Sequence, residues 1–134
     1  MKLSSKSVYA IKLFVDLAEH KDKGFTSVND ISTRKEISKK YLEQVIALFK
    51  PTGLLLQARG KQGGYALAKK PVDIKISDIL SVTEDVFGKS LTGYGPLDLL
   101  AGDLDRAVNS CLDNVTLEDL LRRQLEEYSN SYMI

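Results

Sequence analysis

Between Ser5 and His20 the apolar residues Val8, Ile11, Phe14, Val15 and Ala18 recur at the spacing of an amphipathic helix. The stretch KDKGF (21–25) interrupts that pattern, with Gly24 as the turn residue. A short second helix is predicted to start after Ser27, which fits an N-cap with Asp30 at the capping-box position. Ser38 can cap a third helix, whose inward stripe is Leu42, Val45, Ile46 and Phe49 and which Pro51 and Gly53 close. Only a few residues around Ile37 separate these two helices, the spacing of a helix-turn-helix. Two short apolar runs follow, Leu54 to Ala58 and Tyr65 to Ala68, suited to antiparallel strands joined by a glycine-rich loop. A helix, a helix-turn-helix and a hairpin in that order make a winged helix, with RGKQGGY (59–65) as the wing.

Beyond Pro71 the pattern predicts a fourth helix over Ser77 to Glu84, then an irregular stretch, FGKSLTGYG (87–95). Pro96 pre-organises the start of a long helix with an apolar stripe of Leu97, Leu100, Leu104, Ala107, Val108 and Cys111, ended by Asp113 and Asn114. Thr116, with Asp119 three residues on, starts a last helix carrying Leu117, Leu120, Leu121 and Leu125, and the tail SNSYMI is expected to fray. These two helices cannot bury their stripes alone. They must pack on the preceding domain or on a second copy, and a closed two-fold dimer is the commonest solution. The expected fold is mainly α with a small β-hairpin wing: a winged helix-turn-helix over 1–85, a linker loop over 86–96, and dimerisation helices and tail over 97–134.

Composition narrows the function. With 134 residues, 43% hydrophobic and 28% charged, the chain reads as one soluble globular unit. Its net charge of +1 conceals an asymmetry: residues 1–76 hold 15 Lys/Arg against 7 Asp/Glu, whereas residues 77–134 hold 4 against 11. A basic half joined to an acidic half points to a polyanionic partner for the first. The N-terminal apolar stretch is broken by Lys12 and Asp16, so it is no signal peptide, and no run is long enough to span a membrane. A cytoplasmic location is expected. The single cysteine excludes a disulfide framework. The lone His20 and lone Cys111 fall in separate helices, so no catalytic set is apparent and the chain is not expected to be an enzyme. The glycine-rich loop matches neither a Walker A nor a dinucleotide-binding pattern.

The motifs YLEQ (41–44) and RGKQGGY (59–65), with LSSKSVYA (3–10) upstream and VTLEDL (115–120) downstream, resemble the bacterial winged-helix regulators of the IscR, NsrR and CymR kind. The resemblance covers nearly the whole chain. It implies a homodimer that binds palindromic operator DNA, usually as a repressor, with the third helix in the major groove and the wing at the adjacent minor groove or backbone. Residue by residue, Ser38, Lys39, Lys40, Tyr41, Glu43 and Gln44 match the exposed start of the recognition helix. Arg59 matches the wing arginine, and Gly60, Gly63 and Gly64 the wing glycines. Ser4, Ser5 and Lys6 match a segment that meets the phosphate backbone. The chemistry agrees. Lys39, Lys40, Arg59 and Lys61 can neutralise phosphates. Gln44 carries the donor and acceptor pair that suits adenine, and Glu43 can accept from cytosine N4. Glu43 and Gln44 could instead pair within their helix, and Tyr41 suits packing as well as a phosphate contact. Tyr65 reads as a packing residue for the hairpin.

Cluster-binding members of this family carry three cysteines between the fourth helix and the long helix. Here that loop, VFGKSLTGYGPLDLL (86–100), contains none. Val8 and Lys12 occupy first-helix positions where some relatives place a ligand, and neither is a plausible cluster ligand. No iron–sulfur cluster or other cofactor is therefore expected, and the pattern is nearer the cluster-free, CymR-like members, in which a protein partner or small molecule modulates binding. Cys111 reads as a small buried apolar residue of the stripe, with a redox-sensing thiol as the alternative.

Overall fold

The computed structural model describes residues 2–84 and 94–132, and of Tyr132 the backbone only. Six helices and one hairpin follow in order: α1 Ser5–Glu19, α2 Val28–Lys35, α3 Lys39–Phe49, β1 Leu55–Ala58, β2 Gly64–Leu67, α4 Ile76–Thr83, α5 Pro96–Asp113 and α6 Leu117–Tyr132. Each helix start has a local cause. Ser4, Ser27 and Ser38 accept a hydrogen bond from the amide of the third residue on, which supplies one donor of each first turn with a partner. Thr116 and Asp119 exchange reciprocal bonds of 3.0 and 3.1 Å, a complete capping box for α6. Pro96 stands in the first turn of α5, as expected.

The centre of the molecule is α1, which packs against α2, α3, α4, α6 and β2. Its inward residues differ from the expected stripe. Phe14, Val15 and Ala18 are buried, but Val8 is exposed and Ile11 only half-buried, while Ala10, Leu13 and Leu17 join the core. From Leu13 to Ala18 every residue is buried, because helices surround that stretch on all sides. Asp16 lies within it at 0% exposure. An unpaired carboxylate there would be heavily penalised. Arg34 of α2 meets it with two bonds of 2.9 Å, from Nε to Oδ1 and from Nη2 to Oδ2. This fork locks the first helix of the helix-turn-helix to the core helix.

The α3 stripe is as expected: Leu42, Val45, Ile46 and Phe49 are all buried, and Phe49 meets Phe14 edge-on with centroids 5.0 Å apart. Between α2 and α3, Glu36 takes a left-handed conformation, the Ser32 hydroxyl donates to the Ile37 carbonyl, and Ile37 plugs the core.

The hairpin pairs Leu55 with Leu67, Leu56 with Ala66, Gln57 with Tyr65 and Ala58 with Gly64. It is also tied to the body, since Thr26 and Tyr65 exchange both backbone hydrogen bonds at 2.8 Å. Gly64 permits this approach: its φ is +151°, and a Cβ there would stand 2.1 Å from the Thr26 carbonyl oxygen. Tyr65 packs against the core from the wing.

After α5 the chain returns to the winged helix. The Ile76 amide donates to Val115 and the Leu117 amide to Ile74, each at 2.8 Å, and Leu117 is fully buried. Leu120 and Leu121 pack beside it, but Leu125, expected in the same stripe, is 68% exposed, because α6 runs past the edge of the body. The tail expected to fray from Ser129 instead continues α6 as far as Tyr132. On α5, Val108 and Leu112 turn inward and line an apolar groove with Ile11, Ile76, Leu80 and Leu120. Leu97, Leu100 and Leu104 point away from the body and are 55–78% exposed. Cys111, expected to be buried, is exposed among the described residues. Most of the predicted linker, residues 86–93, lies outside the described residues.

Candidate nucleic-acid interface

Because one side of α3 is committed to the core, the opposite side must face solvent. Lys39, Lys40, Glu43 and Gln44 are exposed there, with the capping Ser38 before them. Tyr41 stands at the boundary, half-buried and edge-on to Tyr9 with centroids 4.9 Å apart. Lys12 Nζ lies 5.7 Å above the Tyr9 ring, so a cation backs the aromatic pair. Tyr41 thus packs through its ring, one of the two roles its sequence context allows.

Lys6, Tyr41, Gln44, Val45 and Leu48 line a shallow slot of about 190 Å³. The fold therefore brings Lys6, from the start of α1, beside Gln44 on α3. Ser5 is exposed next to Lys6. Ser4 is engaged within the chain: its hydroxyl accepts from the Ser7 amide at 3.2 Å, and its amide donates to Glu84 Oε1 at 2.7 Å. The Ser7 hydroxyl donates to the same carboxylate oxygen at 2.6 Å. These bonds, that from the Ser7 side chain first and that from the Ser4 amide next, hold the Glu84 carboxyl below its ordinary range.

At the wing tip Arg59, Gly60 and Lys61 are exposed, and the Gly63 amide closes the turn on the Gly60 carbonyl at 3.0 Å. Gly60, at φ +105°, holds a conformation a side chain would strain. A Cβ on Gly63 would meet the Ala58 carbonyl oxygen at 2.5 Å. Lys61 and Gly63 border a cleft with Lys23, Phe25, Ser27 and Asp30, so the wing tip flanks the start of α2. Among the described residues, Lys6, Lys39, Lys40, Arg59 and Lys61 form no ion pair, while Arg34 and Lys35 of the scaffold do. Cations left unpaired on an exposed surface suit an external polyanion.

Sequence reasoning missed Tyr9, Lys12, Leu48, the Asp16–Arg34 pair and Glu84. Asp16 carried a signal, a carboxylate within the run Leu13–Ala18 whose other residues are all apolar, which demands a partner. Nothing local marks Glu84, whose partners are 77 and 80 residues away.

Residues 3–123 match the Rrf2 family, described as iron-dependent transcriptional regulators. The chain belongs to the Rrf2 family. It is 35% identical over 130 residues to the HTH-type transcriptional regulator IscR of Aliivibrio salmonicida, covering 90% of this chain and 77% of that one. Among solved structures, IscR of T. potens superposes with a TM-score of 0.80 at 36% identity, over 92% of this chain and 88% of that one. CymR, the global cysteine regulator of B. subtilis, gives 0.79 at 32% identity, over 92% and 98%. The fold and family are those of DNA-binding transcriptional regulators, not enzymes.

The Rrf2 description implies iron, so the donor set needs testing. A cluster needs several thiolates or imidazoles converging on it. The 134 residues contain one cysteine and one histidine. Cys111 is on α5, while His20 ends α1 with its Nδ1 2.7 Å from the Asp16 carbonyl oxygen. Among the described residues no three His, Cys, Asp or Glu side chains converge. The residues present do not fit a cluster of the IscR kind, and this Rrf2 protein is a cluster-free, CymR-like regulator. No described helix is long and apolar enough to cross a membrane.

Proposed function

We propose that this Rrf2 protein is a cytoplasmic homodimeric repressor that binds a palindromic operator, with α3 of each protomer in the major groove. The observation that carries the reading is the split surface of α3: its apolar stripe is buried, and its opposite face offers exposed Lys39 and Lys40, without an ion pair among the described residues, beside Glu43 and Gln44. In this reading Ser38, Lys39, Lys40 and Tyr41 meet phosphates, and Gln44 and Glu43 address base edges. Arg59 and Lys61 reach the backbone or a narrow minor groove from the wing, whose turn Gly60, Gly63 and Gly64 permit. Ser5 and Lys6 supply the backbone contact from α1, while Ser4, matched to the same segment in the sequence, spends its amide on Glu84 and its hydroxyl proton on Ser7. Residues 1–85 form the DNA-binding unit and 97–134 the dimerisation unit, joined by the linker 86–96. Leu97, Leu100, Leu104, Ala107 and Cys111 form the two-fold seam, whereas Val108, matched to the same stripe in the sequence, faces the groove against the body. A small molecule or a partner protein modulates binding.

Selection of bound duplexes from a random pool tests the reading, and a two-fold symmetric motif is expected. Titrations of variants on the selected and scrambled duplexes then assign roles. Arg59→Ala should weaken binding to both and reduce the magnitude of the salt slope by about 1 for each phosphate that Arg59 neutralises. Gln44→Ala should leave non-specific binding nearly intact and cost roughly 1–3 kcal/mol of discrimination at one base pair per half-site. A pool that yields no enriched motif, with wild-type binding insensitive to salt, would sink the reading.

A further inference from the structure

We propose that Glu84 is a positioning residue for DNA binding: it holds the first turn of α1, Ser4 to Ser7, in the orientation that presents Ser5 and Lys6 to the phosphate backbone. The proposal rests on the DNA-binding reading above.

The observation is a hydrogen-bonded chain that joins two distant parts of the sequence. Glu84 directly follows α4, and its Oε1 accepts from the Ser4 amide at 2.7 Å and from the Ser7 hydroxyl at 2.6 Å. The Ser7 hydroxyl has one proton. With that proton given to Glu84, the Thr83 hydroxyl 2.7 Å away must donate to Ser7. Ser7 is 0% and Thr83 9% exposed, so this part of the chain is closed to water, whereas Ser5 and Lys6 stand outside it.

The Ser4 amide has no partner inside its own helix. Bonds to an ionised acceptor are about twice as strong as neutral ones. Glu84 thus supplies a tie to the first turn of α1, the turn that carries Lys6 to the slot shared with Tyr41 and Gln44. The same carboxylate carries a charge of the sign that phosphate repels. Two effects oppose each other: the hydrogen bonds orient the turn, and the charge weakens phosphate binding. A residue kept only for fold stability would serve without regard to Lys6, so experiment must separate positioning from stability.

Glu84→Ala removes both effects, whereas Glu84→Gln removes the charge and keeps an acceptor oxygen for both donors. Affinity for the selected operator and for a scrambled duplex would be titrated at several salt concentrations, with amide exchange at Ser4 and Ser7 followed by NMR. Glu84→Ala is expected to speed exchange at both amides and to weaken binding to both duplexes about three- to tenfold. It should also lower the magnitude of the salt slope by about 1 per protomer. Glu84→Gln is expected to recover part of the protection lost in Glu84→Ala, its neutral acceptor holding the turn less tightly, and to bind clearly more tightly than Glu84→Ala. Should Glu84→Ala fail to fold, Ser7→Ala, which deletes one donor and leaves the Ser4 bond, should give a smaller loss in the same direction. Faster exchange with unchanged affinity and slope overturns the proposal, as does a Glu84→Gln variant as weak as Glu84→Ala. If wild type itself binds neither duplex, the DNA reading fails first and the proposal with it.

Discussion

The winged helix and helix α5 solve opposite problems. In the first, Leu42, Val45, Ile46 and Phe49 are buried, while Lys39, Lys40, Arg59 and Lys61 are exposed and form no ion pair among the described residues. In α5 the leucines at 97, 100 and 104 are in water, and Arg106 sits against Asp103 one turn away. A surface with bare cations is complementary to a polyanion, and a surface with bare leucines to another apolar surface. In the proposed reading one region meets DNA and the other a second copy of the chain, and the charge asymmetry of the sequence follows that division.

The most severe test of the contrast is at α5. Leu104→Asp places a charge where the proposed seam should be dry. Light scattering should show the mass fall to that of one chain. Operator affinity should drop by about a hundredfold or more, because two half-sites are no longer held together. A dimer that survives the substitution would assign the exposed leucines to some other contact.

Next in size is the scaffold beneath the DNA-facing side. Arg34→Ala leaves the buried Asp16 carboxylate without its fork. The expected loss is about 2–3 kcal/mol, toward the lower end for a broken buried pair because the Arg34 side chain is itself partly exposed. Urea unfolding measures it. An unchanged midpoint would mean that Asp16 finds another donor.

The smallest effect is the acid limb of stability. Glu84 and Asp119 both have carboxyl groups held below their ordinary values, Asp119 chiefly by the Thr116 amide. A lowered pKa means that the unfolded chain binds the extra protons, so the stabilisation is present above the ordinary carboxylate range and is lost as pH falls through the folded value. Glu84→Gln should lower stability near neutrality and flatten the curve in that acid window, so that variant and wild type converge at low pH. Thermal melts across about pH 3–5 would read it, and a variant curve parallel to wild type throughout would count against the Glu84 assignment.

Much of the fold is legible from short-range signals. Ser27, Ser38 and Thr116 mark helix starts because a cap acts over three residues. The α3 stripe is legible because that helix has one dry side. Helix α1 has none that is wet between Leu13 and Ala18, so its periodicity carries little information, and the inward assignment of Val8 is wrong. Of the candidate interface, the α3 and wing residues follow from their pattern and from the family resemblance. The placement of Lys6 beside Gln44 does not, since it depends on how α1 crosses α3. The ties from Asp16 to Arg34 and from Glu84 to Ser4 are long-range choices of partner, which no local pattern encodes.

The wing is usually imagined as a loose arm. Here Thr26 and Tyr65 fasten its second strand to the segment just before α2, and Gly64 lets the two backbones touch. The separation between the tip and α3 is then a property of the folded body. Under the DNA-binding reading, the molecule behaves as a rigid gauge that accepts one spacing between what α3 reads and what the wing touches. Inserting a single base pair between those two parts of each half-site would make the contacts alternatives, and the complex would keep only one of them.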